Sequence, residues 1–286
     1  MLDYLNLTKP RISMLFALTG FTVLLMERSV IQDPWRITLL VLAIFMTGGS
    51  ANAFNQYFER DRDKLMARTA KKRPLPQGKI SPESALVFSI VMGIAGTFLL
   101  WYLGNPLAFL FGLGTIVFYS FYYTLYLKPK TPYNIVIGGV PGAMGPLIAS
   151  AAVSGGVGWA PFLMFLIIFF WTPPHFWALA LACKDDYSKV GLPMLPVVAG
   201  EEVTRRQILW YSFTLLPLSL SLYFIKAFGM FYLVSSTVLG VFFILGAIQV
   251  YRKKNDRTNW QFFAYSIVYL LLLFGAMMVD TLVRKA

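Results

Sequence analysis

Long apolar runs broken by short polar intervals dominate this chain. The pattern predicts nine helices, each close to the length that crosses a hydrocarbon core of ~30 Å. Their approximate ends are Pro10–Met26, Trp35–Phe58, Ser84–Leu103, Pro106–Leu127, Tyr133–Val153, Ala160–Ala182, Ile208–Ile225, Met230–Val250 and Phe262–Leu282. Membrane strands are shorter and alternate apolar with polar residues, whereas these runs are continuously apolar. The expected fold is an all-α polytopic membrane protein, with residues 1–286 forming a single transmembrane domain.

Composition agrees with that class. The chain is 57% hydrophobic and 13% charged, well away from soluble domains. With the N-terminus placed inside, all of the 25 Lys and Arg residues except Arg28, Arg36, Lys226, Arg284 and Lys285 fall in inner segments. The positive-inside rule then makes the N-terminus cytoplasmic, and nine spans put the C-terminus outside. The net charge of +12 thus reflects topology and attraction to anionic headgroups of the lipid bilayer, and no nucleic acid is needed as a partner. Cys183 is the lone cysteine, which excludes internal disulfides and thiolate metal cages. The first residues lack the Arg- and Ser-rich character of a transit peptide. A bacterial or archaeal inner (plasma) membrane is expected, with the longer polar loops cytoplasmic.

Two of those loops, about Glu59–Glu83 and Cys183–Gln207, carry eight of the 13 carboxylates. Loops of that size in a compact domain tend to be functional. They follow spans two and six, an offset that hints at duplication of a helix bundle. At ~100° per residue, Asn52, Asn55, Glu59 and Asp63 share one helical face. An amide and two carboxylates on one stripe offer the hard oxygen ligands that Mg²⁺ takes while keeping waters and substrate phosphates. The plainer alternative is a solvated loop with incidental ion pairs, an even choice for Asp61 and Arg62. Asp185 and Asp186 close span six. Acidic helix ends meeting across the interior would hold two Mg²⁺ ions with a diphosphate between them. Arg68, Lys71, Lys72, Arg73, Lys128 and Lys184 lie at the same depth, where they would neutralise phosphate charge. Taken singly each cation reads as a topology determinant; Arg68, little more than one turn past the acidic stripe, stands apart.

Tyr119, Tyr122, Tyr123 and Tyr126 fall on one face at helical spacing. They read either as an interfacial aromatic belt or as a π-lined wall that stabilises a carbocation. Thr172-Pro173-Pro174 predicts a break in span six just before His175, the only histidine. His175 is either a hydrogen-bonded structural residue or, in a membrane cavity, an iron ligand or acid–base group. Gly138, Gly139, Gly142 and Gly145 predict a close-packing face.

Several motifs carry a family resemblance. Asn55-x₃-Glu59-x₃-Asp63, followed by Arg68, Thr69, Arg73 and Pro74, resembles the first acidic motif of the intramembrane aromatic prenyltransferase (UbiA-type) superfamily. Within it, the haem-farnesylating branch is resembled at Glu59-Arg-Asp-Arg-Asp63-x₂-Met66-x-Arg68-Thr69, Tyr123-Thr124-x₂-Leu127-Lys128 and Asn134-Ile135-x-Ile137-Gly138-Gly139. The likeness continues at Trp171-Thr-Pro-Pro-His175-Phe-Trp177 and Asp185-Asp186-Tyr187-x₃-Gly191-x-Pro193-Met194-Leu195-Pro196. It runs from about Lys9 to Pro196 and implies about nine helices around a central cavity. The implied reaction joins haem B, farnesyl diphosphate and water into haem O, releasing diphosphate.

The resemblance further implies Mg²⁺–diphosphate binding by Asn55, Glu59, Asp63, Asp185 and Asp186, and phosphate contacts from Arg68, Arg73 and Lys128. Tyr119, Tyr123 and His175 would face the haem and the allylic cation. A haem A synthase or a terminal oxidase assembly is a partner implied by the same likeness. Glu59 stands where many members have Asp, and the acidic residue that phenol-prenylating members tend to carry in the second motif is missing near His175. A prenyltransferase acting on a quinone precursor or chlorin is the alternative within the class, and the motifs around His175 argue against it. A transporter is the alternative outside it, disfavoured by two carboxylate clusters confined to one membrane side.

Overall fold

The computed structural model describes residues 2–27 and 32–285, with no strand among them. Arg28, assigned above to an outer segment, lies outside the described residues. In chain order the helices are α1 (Leu2–Leu7), α2 (Pro10–Met26), α3 (Pro34–Leu65), α4 (Ala67–Ala70), α5 (Pro82–Leu103) and α6 (Pro106–Lys130). They continue with α7 (Asn134–Ser154), α8 (Trp159–Ala182), α9 (Lys184–Lys189), α10 (Leu195–Val198), α11 (Glu201–Phe224), α12 (Met230–Lys253) and α13 (Asp256–Lys285).

Local chemistry sets the starts. Asp33, Ser81 and Asn105 each precede a proline and accept N–H groups of the new first turn, from Arg36 at 3.0 Å, Ser84 at 3.2 Å and Leu107 at 3.0 Å. Side-chain caps of this kind satisfy donors that the helix itself cannot, and a proline at the first position has no N–H to lose. Among the described residues, α3, α5, α6, α7, α8, α12 and α13 are long and apolar enough to cross a membrane. α2 is shorter, at 17 residues, and α11 opens on Glu201, Glu202, Arg205 and Arg206. Each predicted apolar run lies on one of these nine helices to within a residue.

Three differences from expectation bear on the site. First, α3 continues past Phe58 to Leu65, so Glu59 and Asp63 are helical residues whose side chains turn inward rather than loop residues. Second, Thr172-Pro173-Pro174 does not break α8, which runs without interruption from Trp159 to Ala182. Each proline removes one intrahelical donor, from the Phe169 and Phe170 carbonyls, but both prolines are buried against neighbouring helices and α8 continues through them. That is how membrane helices retain proline without unwinding. Third, Phe118–Leu127 within α6 winds as a π-helix. Its i→i+5 bonding, seen where the Lys128 N–H donates to the Tyr123 carbonyl, spreads the tyrosine stripe over two faces. Tyr122 and Tyr126 point outward, while Tyr119 and Tyr123 are half-buried and stack on each other at 5.2 Å.

The helices form a closed ring. α2 packs on α3 and α7, and α3 on α5 and α6; α8 packs on α7, α11 and α13, α12 lies against α11 and α13, and α13 returns to α2. Outward faces stay apolar, as with Ile94, Phe98 and Trp101 of α5 and Val234, Val238 and Phe242 of α12. Such faces suit hydrocarbon, not water. Inside the ring is a cavity of about 360 Å³ walled by α2, α3, α6, α7, α8 and α13.

One buried cation ties the second half together. Arg205, 2% exposed, donates to the Val250 carbonyl and to Asn259 Oδ1, both at 3.0 Å, and to Glu201 Oε2 at 3.2 Å. It thereby joins α11, α12 and α13. Arg205→Ala is expected to destabilise the protein by about 2 kcal/mol, the scale of charged hydrogen bonds lost from a buried site. Thermal unfolding in detergent checks this, and an unchanged midpoint would contradict it.

Candidate active site

Where α3 leaves the bundle, Asn52, Asn55, Glu59 and Asp63 face inward at successive turns and all are buried. The predicted stripe exists, and Asp61 and Arg62 point to solvent. Buried carboxylates need partners, because an isolated charge in a low-dielectric interior is very unfavourable. Arg73 supplies one partner: its Nη1 donates to Glu59 Oε2 at 3.3 Å and also to Asp63 Oδ2. Lys128, at the end of α6, donates through Nζ to the other oxygen of Glu59, Oε1. Arg73 reaches inward because the chain folds back after α3. The Thr69 hydroxyl donates to the Asp63 carbonyl at 2.9 Å, and the Arg73 N–H donates to the Thr69 carbonyl at 2.9 Å. Burial disfavours the Arg73 cation, but Glu59 and Asp63 outweigh it and raise its pKa.

Two further groups complete the network, Lys9 and Thr124; neither is a candidate site residue of the sequence, although Thr124 stands in the Tyr123-Thr124 motif. Lys9 adopts a left-handed backbone, φ +48°, just before Pro10 and donates through Nζ to Asn55 Oδ1 at 2.8 Å. Burial, and then the Arg73 guanidinium beside it, push the Lys9 ammonium well below the usual lysine range. Asn55 Nδ2 donates in turn to the Thr124 hydroxyl at 3.1 Å, and Thr124 donates to the Tyr119 carbonyl at 2.7 Å. The π-helical winding of α6 thus faces Thr124 toward Asn55 and brings Lys128 to Glu59. Asn52 sits one turn deeper, donating to Ser13 of α2 at 3.1 Å.

The second acidic cluster is only partly drawn in. Asp186 is half-buried and its Oδ2 accepts the Arg68 backbone N–H at 3.3 Å, joining the two loops at one rim. The Arg68 Nε is buried without a hydrogen-bond partner among the described residues. Asp185 is exposed, and Lys184 turns away to Glu201 at 3.1 Å. Among the described residues no three acidic, His or Cys side chains gather tightly enough to hold an ion by themselves. The structure therefore unites Asn55, Glu59, Asp63, Arg73 and Lys128, attaches Arg68 and Asp186 at the rim, and leaves Asp185 facing solvent.

The cavity begins beside this network. Arg11, Asn52 and Tyr119 line it, together with Gly138 and Gly139 of α7 and His175 of α8. Gly138 is required by close approach, since a Cβ there would run into the Tyr123 ring. A charged, oxygen-rich end joined to a greasy interior suits a substrate with an anionic head and an apolar tail.

Residues 13–274 match the model of the UbiA prenyltransferase family. The chain belongs to that family. It is a prenyltransferase, and a full-length curated relative points the same way. It is 42% identical over 281 residues to a protoheme IX farnesyltransferase of Symbiobacterium thermophilum, covering 97% of this chain and 93% of the relative. Two solved structures share the UbiA fold. A digeranylgeranylglyceryl phosphate synthase superposes with a TM-score of 0.79 at 20% identity, covering 98% of this chain and 97% of that one. A UbiA homologue of Archaeoglobus fulgidus bound to DMAPP and Mg²⁺ does so with a TM-score of 0.65 at 18% identity, covering 97% and 99%.

Lys9 is the charged residue in this network with no counterpart among the sequence candidates, so its effect is informative. Lys9→Met is expected to lower prenyl-transfer turnover about tenfold or more, the scale of one charged hydrogen bond, while the purified protein keeps its elution profile and helical content. Wild-type turnover would place Lys9 outside the reaction.

Proposed function

We propose that this enzyme transfers the farnesyl group of farnesyl diphosphate to a vinyl group of haem B, with addition of water, giving haem O and diphosphate. One observation carries the reading: an apolar cavity of about 360 Å³, lined by Asn52 and Tyr119, lies next to the buried network of Lys9, Asn55, Glu59, Asp63, Arg73 and Lys128, which starts one turn further along α3 at Asn55. The protoheme acceptor in the name of the 42% identical relative supports the choice of haem.

The donor set at the rim is chemically suited to Mg²⁺. Glu59, Asp63, Asp185 and Asp186 offer carboxylate oxygens and Asn55 an amide oxygen, all hard ligands. Asn55, Glu59, Asp63 and Asp186 would hold the metal, with Asp185 exposed beside Asp186, and the metal's chemistry here is to offset negative charge as it develops on the leaving diphosphate. The protein's own cations serve the same anion. Arg73, Lys128, Lys9 and Arg68 converge on this rim, and their side chains that reach Glu59 and Asp63 also reach phosphate oxygens placed beside them. Departure of diphosphate leaves an allylic cation. The faces of Tyr119, which lines the cavity, and of Tyr123, stacked on it at 5.2 Å, would attract that positive charge without a nucleophilic attack. The apolar walls keep bulk water away until the vinyl carbon bonds to the farnesyl carbon.

By the same reading all nine long helices cross the inner (plasma) membrane, with the N-terminus and active-site loops cytoplasmic and the C-terminus outside. A haem A synthase or terminal oxidase assembly would take up the product. The decisive assay incubates purified protein with haem B, farnesyl diphosphate and Mg²⁺ and reads the product mass. Haem O is expected, its formation stopped by EDTA and restored by Mg²⁺; turnover persisting in chelator would refute the metal. Asp63→Ala is expected to abolish turnover in a membrane assay while the protein stays folded in detergent, and near-normal haem O output would remove Asp63 from the site.

A further inference from the structure

The cavity contains a second polar feature that diphosphate chemistry leaves unused. His175 is buried between two nearly parallel rings: Trp171 lies at 4.4 Å and 16°, and Phe263 of α13 at 4.5 Å and 20°. Its Nδ1 lies 2.6 Å from the Ser266 hydroxyl oxygen. That hydroxyl has one proton, and it donates it one turn back to the Phe263 carbonyl at 2.6 Å. With its proton committed, Ser266 Oγ can only accept from the imidazole. Nδ1 therefore carries the hydrogen, and Nε2 is left as a bare lone pair. Trp171 Nε1 donates to the Ser266 carbonyl at 2.8 Å, which fixes this stretch of α13 against α8. Both ring faces are covered, Nδ1 is tied, and the Phe176 ring stands nearly perpendicular to the imidazole at 4.9 Å and 77°. His175 and Phe176 both line the cavity, toward which the Nε2-bearing edge is left to point. An imidazole held through Nδ1–H by an outer partner, with Nε2 free, is arranged as a metal ligand.

We propose that His175 Nε2 is the axial ligand to the iron of the porphyrin substrate, and that Ser266 is the positioning residue that fixes its tautomer and orientation. The inference rests on haem B as the acceptor and adds how it is held. The bond is dative: Nε2 contributes its lone pair, nothing is oxidised and no proton moves. The surroundings suit a flat macrocycle. On the α7 side of the cavity, Gly138, Gly139 and Gly142 present no side chains. His175 is seven residues before the end of α8 at Ala182, about 10 Å along the helix axis, which sets the iron well inside the charged rim.

Ferric haem B titrated into the purified full-length protein, without farnesyl diphosphate, reads ligation apart from turnover. The wild type is expected to show the Soret band and electron paramagnetic resonance of histidine-bound haem. His175→Ala should lose that signature, and added imidazole should restore it. Ser266→Ala should weaken haem binding about tenfold or more, the usual effect of losing a ligand's outer partner, while Ser266→Thr keeps the acceptor and wild-type affinity. Should His175→Ala fail to fold, the two Ser266 variants decide by affinity and Soret position. An unchanged Soret band in folded His175→Ala, or unchanged affinity in Ser266→Ala, overturns the inference while leaving the proposed reaction standing if haem O is still made. A wild type that binds no haem overturns both.

Discussion

Two carboxylates buried at the end of a membrane helix are costly unless cations meet them, and the polar end of this bundle is arranged around that requirement. Glu59 and Asp63 draw in Arg73 from the loop after α4 and Lys128 from the end of α6. Lys9 at the start of α2 adds its ammonium through Asn55. Three segments distant in sequence are thereby pinned to one helix. Replacing one partner alone would strand a charge in a dry environment, which is why such clusters are retained as units. The same cluster gathers three cationic side chains, Lys9, Arg73 and Lys128, at one end of the bundle.

Much of this was legible from the residue pattern. Nine apolar runs mark nine helices, and the three-to-four-residue spacing of Asn52, Asn55, Glu59 and Asp63 identifies a single inward face, because helical geometry is local. What stayed hidden depends on contacts between distant segments. Nothing near Lys9 in sequence announces that its backbone turns left-handed and aims its side chain at a residue on α3. The prolines of α8 read as a break because their missing donors are evident, whereas the packing of neighbouring helices around them, which keeps α8 continuous, is a matter of distant segments. The tyrosines of α6 misled for a related reason. Their spacing is that of an α-helix, but a change to i→i+5 bonding, needed to aim Thr124 and Lys128, alters which of them share a side. The second acidic motif holds a difference that spacing does not announce: adjacent Asp185 and Asp186 point in different directions, and only Asp186 turns toward the rim.

Ring closure gives the cavity a property that no individual helix has. α2, which supplies Arg11 and Phe16 to its wall, meets α13, which supplies Ile267 and Leu270, across more than two hundred residues of chain. Contacts so far apart in sequence form late, after local hairpins have settled. A chain ending before α13 would therefore hold the acidic rim on α3 and its cations beside a chamber open toward lipid. The chamber is enclosed only where its last long helix meets α2, so closing it falls to the end of the chain.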